Sequence, residues 1–265
     1  MLTSVQLEDI LAMAAEGALD VSDVHNVCPA PGGNGYNFAL SDLDEGRRRE
    51  AVRATLGSIE TAARAGADRL VVHMGHVDVD PELSGKVWDA FDNGGDWLSA
   101  RDELLTQRAR NRAANWDALL RSLEEVLPAA DRAGVTIATE SRYSPNEMTS
   151  FEEVGMLMAE LPQIGYWHDV GHCQVAELLG LHRHEEWLEA YGDRLVGIHL
   201  HDLRGRFDHR APGTGEFDFT RLAPLPESAL RVLEVHSTFS SMEDVIAGVA
   251  VLDEALEAAG EGAGA

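Results

Sequence analysis

Six short apolar runs in this chain each carry a histidine or a carboxylate at or near their C-terminal end. They are "VSDVHNV" (21–27), "RLVVHMG" (69–75), "VTIATES" (135–141), "IGYWHDV" (164–170), "LVGIHLHD" (195–202) and "RVLEVHS" (231–237). The polar residues are His25, His73, Glu140, Asp169, His199 and Glu234. Successive strand side chains point to opposite faces. Glu140 therefore shares a face with Ala138 and Thr136, Asp169 with Trp167, His199 with Gly197 and His201, and Glu234 with Val232 and His236. If those four faces turn toward one point, Glu140, Asp169, His199 and Glu234 form a ring of three carboxylates and one imidazole. Three carboxylates so close cannot all stay ionised unaided. One divalent cation resolves the conflict. The oxygen-rich donor set with one nitrogen favours Mn²⁺, with Mg²⁺, Co²⁺ or Zn²⁺ as alternatives.

The runs are separated by segments with helical spacing. In "GRRREAVRATLGSIETAARAGA" the residues Val52, Leu56, Ile59 and Ala63 recur on one face. A second long helix is expected over 104–133, ending at Gly134. A third is expected to start at "SSMED" with a Ser240–Glu243 capping box and an apolar face of Met242, Val245, Ile246, Val249, Leu252 and Leu256. Strand–helix alternation calls for parallel strands joined by crossover helices. No glycine-rich phosphate loop follows the first strand, which weakens a dinucleotide-binding sheet. Strand ends that all carry chemistry fit a (β/α) TIM barrel, where they converge on one mouth. A full barrel has eight βα units and six are legible, so an N-terminal β-α-β portion is expected to be missing. One barrel domain is expected over residues 1–258, with a flexible tail over 259–265.

The chain has 265 residues, 46 acidic against 21 basic, and a formal net charge of −25. That surface repels phosphate backbones and anionic membranes, so neither nucleic-acid nor membrane partners are expected. Cys28 and Cys173 stand far apart in no metal-binding pattern, which argues against a disulfide scaffold and fits a reducing compartment. No basic, then apolar leader opens the sequence, and no apolar run is long enough to cross a bilayer. A cytoplasmic location is expected.

Taken together, "VVHMG", "ATES", the D-x-x-H of "HDVGH", the H-x-x-D of "GIHLHD", the loop "HRAPGTGEFDF" and "VLEVH" resemble the xylose isomerase-like TIM-barrel superfamily, from about residue 20 to 257. That superfamily contains sugar isomerases, ketose 3-epimerases, inosose dehydratases and endonuclease IV. The resemblance implies that Glu140, Asp169, His199 and Glu234 are metal ligands. It also implies that His201 contacts substrate, and that His172 contacts substrate, as in the epimerases, or holds a further metal, as in the endonuclease. On this reading the chain is a divalent-metal-dependent isomerase or epimerase acting on a small sugar or polyol. Glu140 and Glu234 exchange a proton at the carbon beside the carbonyl, through an enediolate. Arg204 and Arg206 can bind a substrate oxygen or phosphate, or form a solvated loop. A homodimer is compatible with such barrels.

Two other classes stay open. An endonuclease IV-like phosphodiesterase would use further ligands at His25, His73 and His209, although Phe207 stands where that enzyme has an aspartate and Asp208 is displaced by one. A non-catalytic barrel is the other. Among the remaining features, the insertion over 77–103 carries Trp88, Phe91 and Trp97, which either stack on a sugar or pack on the adjacent helix. His168 is expected to face the helix layer, and His182 and His184 to lie on the surface. His76 is expected at the mouth or exposed, and His236 at the rim.

Overall fold

The structure, a computed structural model, describes residues 4–30, 37–222, 225–226 and 228–262. It divides into two compact units, one of Met1–Thr139 with Ser144–Gly165 and one of Glu140–Tyr143 with Tyr166–Ala265.

The first unit runs α1 (Ser4–Ala15), β1 (Val24–His25), α2 (Glu45–Ala65), β2 (Arg69–Val72), α3 (Pro81–Asp92), α4 (Trp97–Ala133), β3 (Thr136–Glu140), whose last residue Glu140 belongs to the second unit, and α5 (Phe151–Glu160). β1 pairs in parallel with β2, and β2 with β3, matching Leu70 to Ile137 and Val71 to Ala138. Leu70, Val71 and Val72 are fully buried, as expected of strands covered on both faces. Local sequence sets the helix ends. The Asp44 side chain accepts from the Arg47 amide at 2.9 Å to start α2, and Gly66 closes it in the left-handed region at φ 80°. α4 is capped by Asp96, so it begins ahead of the expected onset at residue 104, and it ends on Gly134 at φ 68°.

Buried charge in this unit is neutralised in pairs. The Arg108 guanidinium donates to both Glu153 oxygens, at 2.9 and 2.6 Å, while Glu153 also caps α5 by accepting from the Ser150 amide. Arg48 is held by Glu45 and by Glu125. The insertion aromatics pack on one another, with ring centroids 6.3 Å apart for Trp88–Phe91 and 5.6 Å for Phe91–Trp97. His25 and His73 meet edge to face at the ends of β1 and β2, 4.7 Å apart. His76 is half exposed.

The second unit contains β4 (Gly165–Asp169), α6 (Val170–Leu178), α7 (His184–Tyr191), β5 (Leu195–Leu200), β6 (Leu230–Leu233) and α8 (Met242–Gly262). β5 pairs in parallel with β4 on one side and β6 on the other. The register sets both Asp169 and Val232 opposite His199, and the Glu234 amide continues the ladder to the Leu200 carbonyl. Within each unit the strands follow chain order, as in a barrel, without the reversal of a doubly wound sheet.

Gly197 makes this register possible. A Cβ there would collide with the Trp167 ring, which packs edge-on against His199 at 5.0 Å. Two expectations shift at the C-terminal end. The cap of α8 is Ser241 with Asp244, one residue later than expected, with the Asp244 amide donating to the Ser241 hydroxyl. Of the expected apolar face Leu252 is buried, while Met242, Ile246 and Val249 are exposed, because α8 seats Gly248 against Pro212. The helix reaches Gly262, beyond the expected start of the tail at 259; residues 263–265 lie outside those described.

Candidate metal centre

At the C-terminal ends of β3, β4 and β5, and just past β6, four groups meet within the second unit. One donor atom from each of Glu140, Asp169, His199 and Glu234 lies within 4.8 Å of all the others. The centre of the arrangement is His199 Nδ1. It stands 2.6 Å from Glu140 Oε1, 3.0 Å from Glu234 Oε2 and 3.5 Å from Asp169 Oδ2. Glu140, Asp169 and His199 are buried, while the Glu234 side chain is about one-third exposed at 34%. A single imidazole N–H cannot satisfy three carboxylates.

The electrostatics follow from that crowding. Burial opposes protonation of His199, but Asp169, Glu140 and Glu234 outweigh it and hold the imidazole well above its ordinary value. Burial pushes the Asp169 carboxyl up, yet His172, His201 and His199 draw it well below the carboxylate range. Glu234 is likewise pulled down against burial by His199 and His209. A cluster that holds its carboxylates ionised around one nitrogen, with donor spacings suited to one small cation, fits the expected divalent metal. Its oxygen-dominated donors contain no sulfur.

A surrounding layer fixes these groups. Asp169 caps α6, with Oδ1 accepting from the His172 amide at 2.7 Å, and its own amide donates to Ser141 Oγ at 2.8 Å. His201 Nε2 donates to Asp169 at 3.0 Å, and its Nδ1 accepts from the His209 amide at 2.9 Å. Both ring nitrogens of fully buried His201 are thus used inside the protein, and they orient Asp169 instead of reaching substrate as expected. Gly171 permits this contact, since a Cβ there would strike the His201 ring. His172 Nδ1 donates to the Ser141 carbonyl at 3.0 Å, which leaves Nε2 as the nitrogen with a lone pair, 3.4 Å from Arg142 Nη1 and 3.7 Å from Asp208 Oδ2.

His209 stacks on His201 at 4.6 Å and 8°. Its backbone adopts φ 59°, a left-handed conformation costing about 1–3 kcal/mol away from glycine. The strain sets its ring between Asp208 at 2.7 Å and Glu234 at 3.5 Å, and these two carboxylates overcome burial to raise it to about 10.

Arg142, at the site itself, escaped the sequence reading. Its Nη1 lies 3.0 Å from Glu140 Oε2 and 3.2 Å from His172 Nδ1. It stands two residues after Glu140, past the end of β3, where strand parity no longer fixes the side. Arg204 and Arg206, named from sequence, turn elsewhere: Arg204 donates to the Thr214 carbonyl, and Arg206 lies over the Phe207 ring. Asp202, the last residue of the H-x-x-D pattern, accepts from the amides of Leu203, Gly213, Gly215 and Phe217 at 2.8–3.0 Å, so it organises the following loop. Gly215 is required there because a Cβ would meet the Asp202 carboxylate. Asp208, displaced by one from the endonuclease pattern, still faces His172. His236 is exposed.

On the other face of β4, His168 is fully buried as expected and binds the Tyr166 hydroxyl at 2.8 Å. His184 overturns its surface expectation. It is fully buried because α7 turns His184, Trp187 and Tyr191, at i, i+3 and i+7, inward.

Comparison with known proteins sets this geometry in context. A relative in Sinorhizobium fredii (strain NBRC 101917 / NGR234), "Uncharacterized protein y4fM", is 25% identical over 209 residues; the match covers 78% of this chain and 58% of that protein. The chain thus spans little more than half the length of that relative. A D-tagatose 3-epimerase-like protein superposes with a TM-score of 0.65 at 16% identity, over 98% of this chain and 86% of that one. The E. coli 3-keto-D-glucoside 4-epimerase YcjR, in its apo form, gives 0.63 at 15% identity, over 94% and 85%. The TTHB071 protein of Thermus thermophilus, soaked with ZnCl₂, gives 0.59 at 22% identity, over 96% and 86%. These likenesses carry the fold. A family model described as "Xylose isomerase-like TIM barrel" matches residues 2–225, and the chain belongs to that family.

Proposed function

We propose that this chain is a divalent-metal-dependent sugar or polyol isomerase or epimerase that moves a proton at the carbon beside a carbonyl. The observation that carries the reading is the convergence of Glu140, Asp169 and Glu234 on His199 Nδ1. The sugar epimerases among the structural neighbours support the substrate class, and the zinc-soaked neighbour supports a metal. Glu140, Asp169, His199 and Glu234 would hold the cation. A bound divalent cation supplies stabilisation of the negative charge that develops on substrate oxygens as the proton leaves.

The chain's own groups do the rest. Glu234, the more exposed of the two glutamates, takes the proton from carbon on one face of the substrate. Glu140 returns one to the opposite face, and in the reverse direction the roles exchange. Arg142, 3.0 Å from Glu140, keeps that carboxylate in place. His201 holds Asp169 in orientation, and His172 offers Nε2 to a substrate hydroxyl.

The test is a panel of ketoses and keto-polyols incubated with chelator-treated protein and then with added Mn²⁺, Mg²⁺, Co²⁺ or Zn²⁺. A new epimer or isomer that forms only on adding the cation is the expected result. No product with any cation, together with cleavage of DNA at abasic sites, would replace this reading by phosphodiester hydrolysis.

A further inference from the structure

Behind the candidate centre, on the opposite face of β4, lies a second group of donor atoms that the proposed reaction does not use. His168, Cys173 and His184 come from β4, α6 and α7, with four and ten residues between them, and each is fully buried. One donor atom from each lies within 4.8 Å of the other two. His168 Nε2 is 3.3 Å from His184 Nε2, and Cys173 Sγ is 3.7 Å from His168 Nδ1. The Tyr166 hydroxyl, also fully buried, is 2.8 Å from His168 Nδ1.

Hydrogen bonding alone leaves this group incompletely satisfied. The contact between the two Nε2 atoms holds at most one proton. Among the described residues His184 Nδ1, on the side of the ring away from the group, has no hydrogen-bond partner, so Nε2 is the nitrogen that faces the other donors. Burial, with Arg221 nearby, lowers His184 to about 3, so its imidazole is neutral and retains a lone pair. Two neutral imidazoles and a thiol form a soft donor set, unlike the carboxylate-rich centre on the other face. Such donors suit zinc.

We propose that His168, Cys173 and His184 form a second, buried metal site that takes Zn²⁺. The Tyr166 hydroxyl, 2.8 Å from His168 Nδ1, holds the His168 ring as a hydrogen-bond partner. Binding is balanced by transfer of the Cys173 thiol proton to solvent, so one proton is released for each zinc bound. The ion would fasten β4 to the two helices that follow it and stiffen the strand that presents Asp169. This site is separate from the proposed reaction, and its test does not depend on that reaction.

Cobalt reports on the sulfur ligand. The full chain, stripped of metal and reloaded with Co²⁺, should take up two ions and show a thiolate-to-cobalt charge-transfer band in the near ultraviolet. Cys173→Ser should lose the band and one ion, whereas Cys28→Ser and Glu234→Gln should keep the band. A wild-type protein that saturates with Co²⁺ without that band, or whose band survives Cys173→Ser, overturns the proposal. Because the wild-type spectrum is decisive by itself, poor folding of a variant does not protect it.

Discussion

Buried charge is handled differently in the two units. In the first, Glu153 is met by Arg108 through two short bonds, and Arg48 lies between Glu45 and Glu125. Each buried group there has a formal opposite. In the second, three carboxylates converge on a single imidazole. Paired charges hold a fold together, whereas several carboxylates crowded onto one imidazole, with Arg142 and His209 as further partners, mark a place arranged for a cation or a reaction. The difference separates scaffold from site without appeal to the family.

Substitutions sharpen that contrast. Glu234→Gln keeps the side chain's size but removes a base, and turnover should fall by about 10²–10⁴-fold with the circular-dichroism spectrum unchanged. Unchanged turnover would break the two-carboxylate mechanism. Arg108→Met should act oppositely in kind. It strands the buried Glu153 charge and should cost about 3–5 kcal/mol in urea unfolding, without a specific effect on metal uptake.

Metal addition should stabilise the protein through the second unit, by about 2.7 kcal/mol at a hundredfold excess over the dissociation constant. That stabilisation should grow with pH. His199 has a raised folded value, so its contribution to the metal-free protein is complete below about 6.5 and is lost as pH rises through that raised value. The cation, which competes with the proton on the same nitrogen, binds better as the proton leaves. Thermal shifts on adding Mn²⁺ at pH 6 and pH 8 measure this, and a smaller shift at pH 8 would contradict it. The smallest effect is expected at Asp202→Asn. An amide in place of the carboxylate loses acceptor capacity toward four backbone amides and should cost about 1–3 kcal/mol, with faster hydrogen exchange over 203–217.

How far the sequence led depended on whether periodicity or chain reversal placed the residue. Glu140 and Asp169 end their strands and His199 stands one residue before the end of its own, so the two-residue repeat places them, whereas Arg142 lies past the end of β3 and beyond that repeat. His184 is hidden by its polar neighbours His182, Arg183, Glu185 and Glu186, which make a surface reading natural, although the spacing to Trp187 and Tyr191 marks an inward face. Asp208 and His209 were beyond periodicity. Their positions depend on a hairpin turn and a left-handed backbone at His209, which nothing in a histidine's identity announces. The roles of Asp202 and His201 likewise arise from a loop folding back over the strand. The α8 face was misjudged because apolar spacing gives a stripe and not the surface that covers it.

The central claim is that the carboxylate cluster of the second unit moves a proton between carbon and the protein. Incubating a metal-loaded sample with its responsive ketose in D₂O, and following deuterium at the carbon beside the carbonyl by mass spectrometry, tests it most directly. Wild-type protein should incorporate one deuterium per turnover and Glu234→Gln none above background. Product formation without deuterium incorporation, or equal incorporation by the variant, would contradict the account.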